Sequence, residues 1–110
     1  MSKRKKKLST KDLLDFTSNL SLLLNSGLSL HNSINMINSF TRKKQLKEFT
    51  EYLDQGLKKG SSLSQLIEKE NFISLPLYRG LINIGDRIGS LASILPTLQT
   101  YLERKKNIRD

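Results

Sequence analysis

Apolar residues recur every three or four positions along most of this chain, with polar residues between them. Leu13, Phe16 and Leu20 show the spacing clearly, because it places all three side chains on one face of a helix. No run of alternating apolar and polar residues is long enough to predict a strand. The sequence therefore predicts an all-α fold, a compact six-helix bundle of antiparallel helical hairpins.

Each predicted helix has one apolar face, which we expect to lie in the core. The expected core residues are, helix by helix, Leu13, Phe16, Leu20, Leu23 and Leu24; Leu30, Ile34, Ile37 and Phe40; Leu46, Phe49, Leu53 and Leu57; Leu63, Leu66 and Ile67; Leu77, Leu81, Ile84 and Ile88; and Leu91, Ile94, Leu98 and Tyr101 or Leu102. Acidic residues between them, including Asp12 and Asp54, are expected on the outer faces. Asp54 precedes Lys58 by four residues, a spacing that favours an ion pair on a helix.

Capping signals predict where several helices begin. Ser9 opens an S-x-x-D capping box before the first helix, and Ser62 opens an S-x-x-Q box before the fourth. Pro76 suits the first position of the fifth helix, where a missing N–H costs nothing. Pro96 is less favourable, because a proline within a helix costs about 3 kcal/mol. We expect either a kink there or a last helix whose first turn contains Pro96.

Glycines mark three corners between helices. Gly27, Gly60 and Gly89 each stand just before a serine and a core leucine, an arrangement typical of a helix end followed by a new helix start. Gly80 and Gly85 lie inside the fifth helix, where glycine costs about 1 kcal/mol relative to alanine. We interpret Gly85 as a point of close helix approach. The spacing of these glycines does not fit a phosphate-binding loop.

The net charge of +9 is concentrated at the two ends of the chain. Residues 3–7 contribute +5, residues 104–110 contribute +3, and residues 8–103 contribute only +1. We therefore predict a flexible basic arm over residues 1–8 and a folded domain over residues 9–110. Basic ends on a nearly neutral body suit segments that lie beside an anionic membrane surface.

Candidate chemistry is sparse. The chain has no cysteine and a single histidine, His31, which we interpret as a surface or capping residue. No nucleophile–base or paired-carboxylate arrangement is present, so we predict neither enzymatic activity nor a cofactor. Asp86 beside Arg87 is either a structural ion pair or half of a metal or partner site. Tyr78 and Tyr101 are further candidates for partner contacts, since tyrosine favours interfaces.

The three corners, in this order, resemble a family of bacterial inner-membrane proteins, that of type II secretion protein F and the type IV pilus protein PilC. The resemblance rests on residues 16–30 (FTSNLSLLLNSGLSL), 60–66 (GSSLSQL) and 84–91 (IGDRIGSL), and it covers roughly residues 10–109. Two positions depart from the family pattern. Asp86 replaces the usual Glu, which shortens the carboxylate side chain by about one methylene, and Pro96 interrupts the last helix.

The resemblance implies a fold of six helices that occurs twice in each family member, on the cytoplasmic side of the inner membrane. It implies that this chain is the first copy and ends just before a membrane helix. Family members act as a platform: they bind an assembly ATPase, other platform subunits and copies of themselves, and they couple the ATPase to filament extension. The alternative function is a small basic helical protein that binds nucleic acid through its lysine-rich arm.

Overall fold

The computed structural model describes residues 7–109, and these contain six α-helices and no strand. The helices are Thr10–Asn25 (α1), Leu30–Phe40 (α2), Lys44–Lys58 (α3), Leu63–Lys69 (α4), Pro76–Ile88 (α5) and Leu91–Arg109 (α6). The predicted all-α, six-helix fold is confirmed. Most of the predicted basic arm, residues 1–6, lies outside the described part of the chain.

Helices α1 and α6 run antiparallel and pack along their lengths. The contact is fixed at one end by the Asn25 side chain, whose Nδ2 donates to the carbonyl of Ala92 at 3.0 Å. Helices α2 and α3 form a second antiparallel pair, while α5 packs on both α4 and α6. The bundle is thus built from helices that alternate in direction and meet at two opposite ends.

The core lies where the inner faces of all six helices meet. Leu20, Ile34 and Leu53 are completely buried, as the spacing of apolar residues predicts. Three phenylalanines link α1, α3 and the α4–α5 loop: the ring centroid of Phe49 lies 5.0 Å from that of Phe16 and 5.1 Å from that of Phe72. Edge contacts of this kind add to the free energy of burial.

Two acidic residues expected on outer faces are buried instead. Asp12 is only 2% exposed and Asp54 only 3% exposed. Each carboxylate is compensated by a cation that reaches in from the surface: Lys43 Nζ lies 2.8 Å from Asp12, and Lys58 Nζ lies 3.3 Å from Asp54. The expected Asp54–Lys58 pair is therefore present, although the carboxylate is inside rather than outside.

Four apolar residues expected in the core are exposed. Phe40, at the end of α2, is 51% exposed, and Leu77, Ile84 and Ile88 of α5 are exposed by 49%, 53% and 68%. Phe40 is the last residue of its helix and follows the inward Ile37 by three positions, so the core ends before it. The α5 residues form the surface described below.

The folded part of the chain includes Leu8, one residue before the predicted capping serine, Ser9. Leu8, predicted to belong to the flexible arm, packs partly buried against the core. Its N–H donates to the carbonyl of Phe72 at 2.8 Å. Leu8 therefore joins the N-terminal end of α1 to the α4–α5 loop.

The three predicted glycine corners are present between the helices. Gly27, Gly60 and Gly89 have φ values of 102°, 96° and 71°, a region that side chains with a Cβ rarely occupy. After each glycine, the next N–H bonds back to a carbonyl of the preceding helix, at 2.9–3.1 Å. The helix after each corner begins at or next to the serine, and the capping box at Ser62 and Gln65 is confirmed.

Pro96 lies at the sixth position of α6, which excludes the first turn, one of the two expected arrangements, while the other, a kink at Pro96, stays a prediction. A residue at this position would normally donate its N–H to the carbonyl of Ala92. Proline has no N–H, and Asn25 donates to that carbonyl instead. The α1–α6 contact thus supplies the hydrogen bond that Pro96 removes.

Over residues 7–109, no helix combines the length and the hydrophobicity that crossing a bilayer requires.

Candidate partner-binding surface

Helix α5 carries two apolar rows, and only one of them is buried. The buried row consists of Tyr78, Ile82 and Gly85. The second row, one position away around the helix, consists of Leu77, Leu81, Ile84 and Ile88. Leu81 is partly covered, and the other three are exposed. We call this second row the α5 apolar row.

Gly85 explains which row faces the core. A Cβ placed on Gly85 would lie 3.1 Å from Cγ1 of Ile94 and 3.4 Å from Cα of Leu91. The absence of a side chain therefore lets α5 approach α6 closely, as the sequence predicts, and turns the row containing Gly85 inward. Gly80 has nothing within 4 Å of such a Cβ, so it makes no comparable contact.

Tyr78 is a core residue. Its side chain is completely buried, and its hydroxyl group lies 2.7 Å from Thr17 Oγ1 of α1. Burial raises the pKa of the phenol well above its ordinary value, so the group stays neutral and able to donate. The ring therefore lies inside the folded domain, and the partner contact expected through Tyr78 stays a prediction.

Asp86 faces the beginning of α4 rather than open solvent. Its Oδ2 accepts the backbone N–H of Ser64 at 2.9 Å. That N–H belongs to the second residue of α4 and has no partner within the helix, so the carboxylate completes the cap that Ser62 begins. The negative charge also suits the positive end of the helix. This contact assigns Asp86 a structural role that links α5 to α4.

The other candidates remain at the surface. Arg87 is exposed on the last turn of α5, and Tyr101 is half-buried on α6. Among the ion pairs of the described residues, none joins Asp86 to Arg87. Nor does the described part of the chain bring three carboxylate or histidine side chains together as metal ligands.

A buried ion cluster joins α2 to α3 away from the α5 apolar row. Asp54 lies 3.3 Å from each of three polar groups, His31 Nε2, Asn35 Nδ2 and Lys58 Nζ. Burial opposes ionisation of Asp54, but the hydrogen bond from Asn35 and the nearby charge of Lys58 outweigh it and hold its pKa below the ordinary value. His31, expected at the surface or in a cap, is half-exposed and contacts this carboxylate.

The α5 apolar row is the feature that sequence reasoning missed. Both rows of α5 are apolar in the sequence, so periodicity alone does not say which one is buried. The available signal was Gly85, because a small residue favours the side where another helix approaches. An exposed row of large apolar side chains on one helix is characteristic of a surface that a partner covers.

Comparison with known proteins gives a consistent result. The family model of type II secretion system protein F matches residues 16–110. The type IV pilus assembly protein PilC of Thermus thermophilus is 27% identical over 99 residues, which cover 90% of this chain and 24% of PilC. PilC of Pseudomonas aeruginosa is 23% identical over 94% of the chain, and protein F of Xanthomonas campestris is 24% identical over 96%. The chain spans about a quarter of the length of these relatives.

Proposed function

Because the chain belongs to the family of type II secretion system protein F, we propose that it is a scaffold domain of a platform protein that assembles secretion or pilus machinery. The domain is the first of two copies, and the full-length protein is embedded in the bacterial inner membrane with this domain on the cytoplasmic face. It acts by binding other subunits, without catalysing a reaction.

The observation that carries this proposal is the α5 apolar row. Three large aliphatic side chains of one helix are about half or more exposed: Leu77, Ile84 and Ile88. Burying each of them against a partner would contribute about 1.5–3 kcal/mol before the costs of association. Arg87 lies at the edge of the row and can pair with an acidic group of the partner.

The proposed partners are the assembly ATPase of the same system, other platform subunits and a second copy of the chain. A partner that binds the row contacts the same helix that packs on α4 and α6. Movement of the partner is therefore transmitted to two neighbouring helices, through Asp86 to α4 and through Gly85 to α6. The mechanism is transfer of force or conformation through helix packing.

Site-specific photo-crosslinking in living cells tests this proposal. A photoreactive amino acid replaces Ile84 in the full-length protein, and a control replaces Met36, which is 43% exposed on α2. We expect the reagent at Ile84 to give adducts that mass spectrometry identifies as the assembly ATPase, a platform subunit or a second copy. Absence of such adducts, or the same adducts in equal yield from Met36, would contradict the proposal.

A further inference from the structure

Three basic segments that are distant in the sequence meet at one end of the bundle. Asn25 at the end of α1 contacts Ala92 near the start of α6. Fourteen residues from this contact lie Lys11, toward the start of α1, and Lys106, toward the end of α6. Because the two helices are antiparallel, both residues lie about 21 Å away at the opposite end. Lys43, in the α2–α3 connection, lies at this end too, since its Nζ is 2.8 Å from Asp12.

We call this end the basic end of the domain, defined by three groups of residues. They are Lys7 and Lys11; Arg42, Lys43 and Lys44; and Arg104, Lys105 and Lys106. Five carboxylates lie in the same region, namely Asp12, Asp15, Glu48, Glu70 and Glu103. Asp12 is buried and neutralised by Lys43, which leaves seven other cations at this end together with four other carboxylates. Four further basic residues, 3–6, precede Lys7 in the sequence.

An exposed aromatic residue lies among these charges. Phe40 borders a cleft that is also lined by Lys11, Arg42 and Lys43, together with the acidic Asp15. A phenylalanine that is half exposed to water is unfavourable, whereas at a membrane surface the ring enters the boundary between headgroups and acyl chains. Basic side chains around a protruding aromatic residue are the combination that favours binding to anionic bilayers.

We infer that the basic end of the domain, with the Arg42–Lys44 connection and Phe40 at its centre, binds the anionic phospholipid surface of a membrane. Lysine and arginine side chains contact the phosphate groups, and Phe40 inserts between the headgroups. A duplex nucleic acid would also attract the cations, but it offers no favourable site for Phe40. The inference uses a surface separate from Ile84 and Ile88, and so its test is independent of the proposed function.

The test measures binding of the 110-residue chain to vesicles by cosedimentation, with phosphatidylcholine alone or mixed with phosphatidylglycerol. The variant Arg42→Glu/Lys44→Glu reverses two charges far in sequence from both basic termini. The matched control Lys59→Glu/Arg87→Glu makes the same change in net charge near the other ends of α3 and α5. Circular dichroism checks that both variants are folded.

We expect binding that requires phosphatidylglycerol and weakens with salt. Each basic residue near an anionic surface contributes about 1 kcal/mol to binding. Loss of two such residues in Arg42→Glu/Lys44→Glu should therefore lower the affinity for vesicles by about thirtyfold or more. The control should change this affinity by less than about threefold. Phe40→Ala weakens binding to vesicles without weakening binding to a DNA duplex. Equal losses in both charge variants, binding that ignores phosphatidylglycerol, or tighter binding to the duplex than to vesicles would overturn the inference.

Discussion

Among single residues, Asn25 and Pro96 are coupled through the carbonyl of Ala92, which Asn25 bonds and Pro96 cannot. Removing the Asn25 side chain leaves the carbonyl of Ala92 without its donor, so Asn25→Ala is expected to lower the free energy of unfolding by about 1 kcal/mol. In the Pro96→Ala background the new N–H can bond that carbonyl, and Asn25→Ala then costs less. Urea denaturation of the two single variants and the double variant measures the difference. Strictly additive changes would show that the two residues are not coupled.

Two glycines of α5 provide a second test with an internal control. Gly85→Ala places a methyl group 3.1 Å from Ile94 and should destabilise the domain by about 1–3 kcal/mol. Gly80→Ala meets open space within the same helix and should stabilise the domain by about 0.5–1 kcal/mol. Thermal denaturation distinguishes the two, and changes of the same sign would contradict the assigned packing of α5 on α6.

Sequence reasoning identified the role of some residues better than others. Positive φ at Gly27 was predictable, because a glycine after a helical run and before a capping serine is a local signal. The burial of Asp12 was not, because it depends on Lys43, thirty-one positions away. A pattern read along one helix contains no information about which distant cation will reach it.

Between helices, Asp54 of α3 links α3 to α2 through its contacts with His31 and Asn35. Its pKa lies below the ordinary value of 3.8, so the ionised form is more stable in the folded than in the unfolded state. This contribution to stability is fully present above about pH 4 and is lost as the pH falls through the folded-state pKa. Asp54→Asn should cost about 1–3 kcal/mol at neutral pH, since His31 and Lys58 lose a charged partner.

Urea denaturation of the wild type and Asp54→Asn across the acid range checks this expectation. The difference in free energy of unfolding between the two should shrink below about pH 4, because the unfolded chain then takes up a proton at Asp54 more readily than the folded domain does. Asp15→Asn, which changes an exposed acidic residue of α1, is the control and should have little effect. A difference that stays constant down to the lowest pH would contradict the assigned role of Asp54.

The existence, order and type of the helices were predictable from the sequence, whereas the orientation of α5 was not. Capping serines, Pro76 and the glycine corners are local signals, and they locate the helix ends well. The orientation of α5 depends on a contact between Gly85 and Ile94, which belong to different helices. The candidate site was missed for that reason, and Ile84 and Ile88 were placed in the core.

At the scale of the whole molecule, the two proposed surfaces occupy different parts of the bundle. The basic end includes the start of α1, the α2–α3 connection and the end of α6. Ile84 and Ile88 lie on the half of α5 that runs away from that end, toward the Gly89 corner. The domain can therefore rest on a membrane through one surface while Ile84 and Ile88 stay accessible to a partner.

The proposed function requires that the α5 apolar row binds a subunit of the secretion or pilus machinery. Its most direct test is the activity of the full-length protein carrying Ile84→Asp/Ile88→Asp in a cell that lacks its own copy. Both residues are exposed, so the variant should remain folded and reach normal levels in the cell. The control Met36→Asp/Ser39→Asp adds the same two charges to the exposed side of α2.

The quantity to measure is filament assembly or secretion relative to the wild type, with protein level and helix content measured in parallel. We predict that Ile84→Asp/Ile88→Asp abolishes this activity at an unchanged protein level, while Met36→Asp/Ser39→Asp retains it. Wild-type activity in the Ile84→Asp/Ile88→Asp variant, or an equal loss in both variants, would contradict the claim that this row is the binding surface.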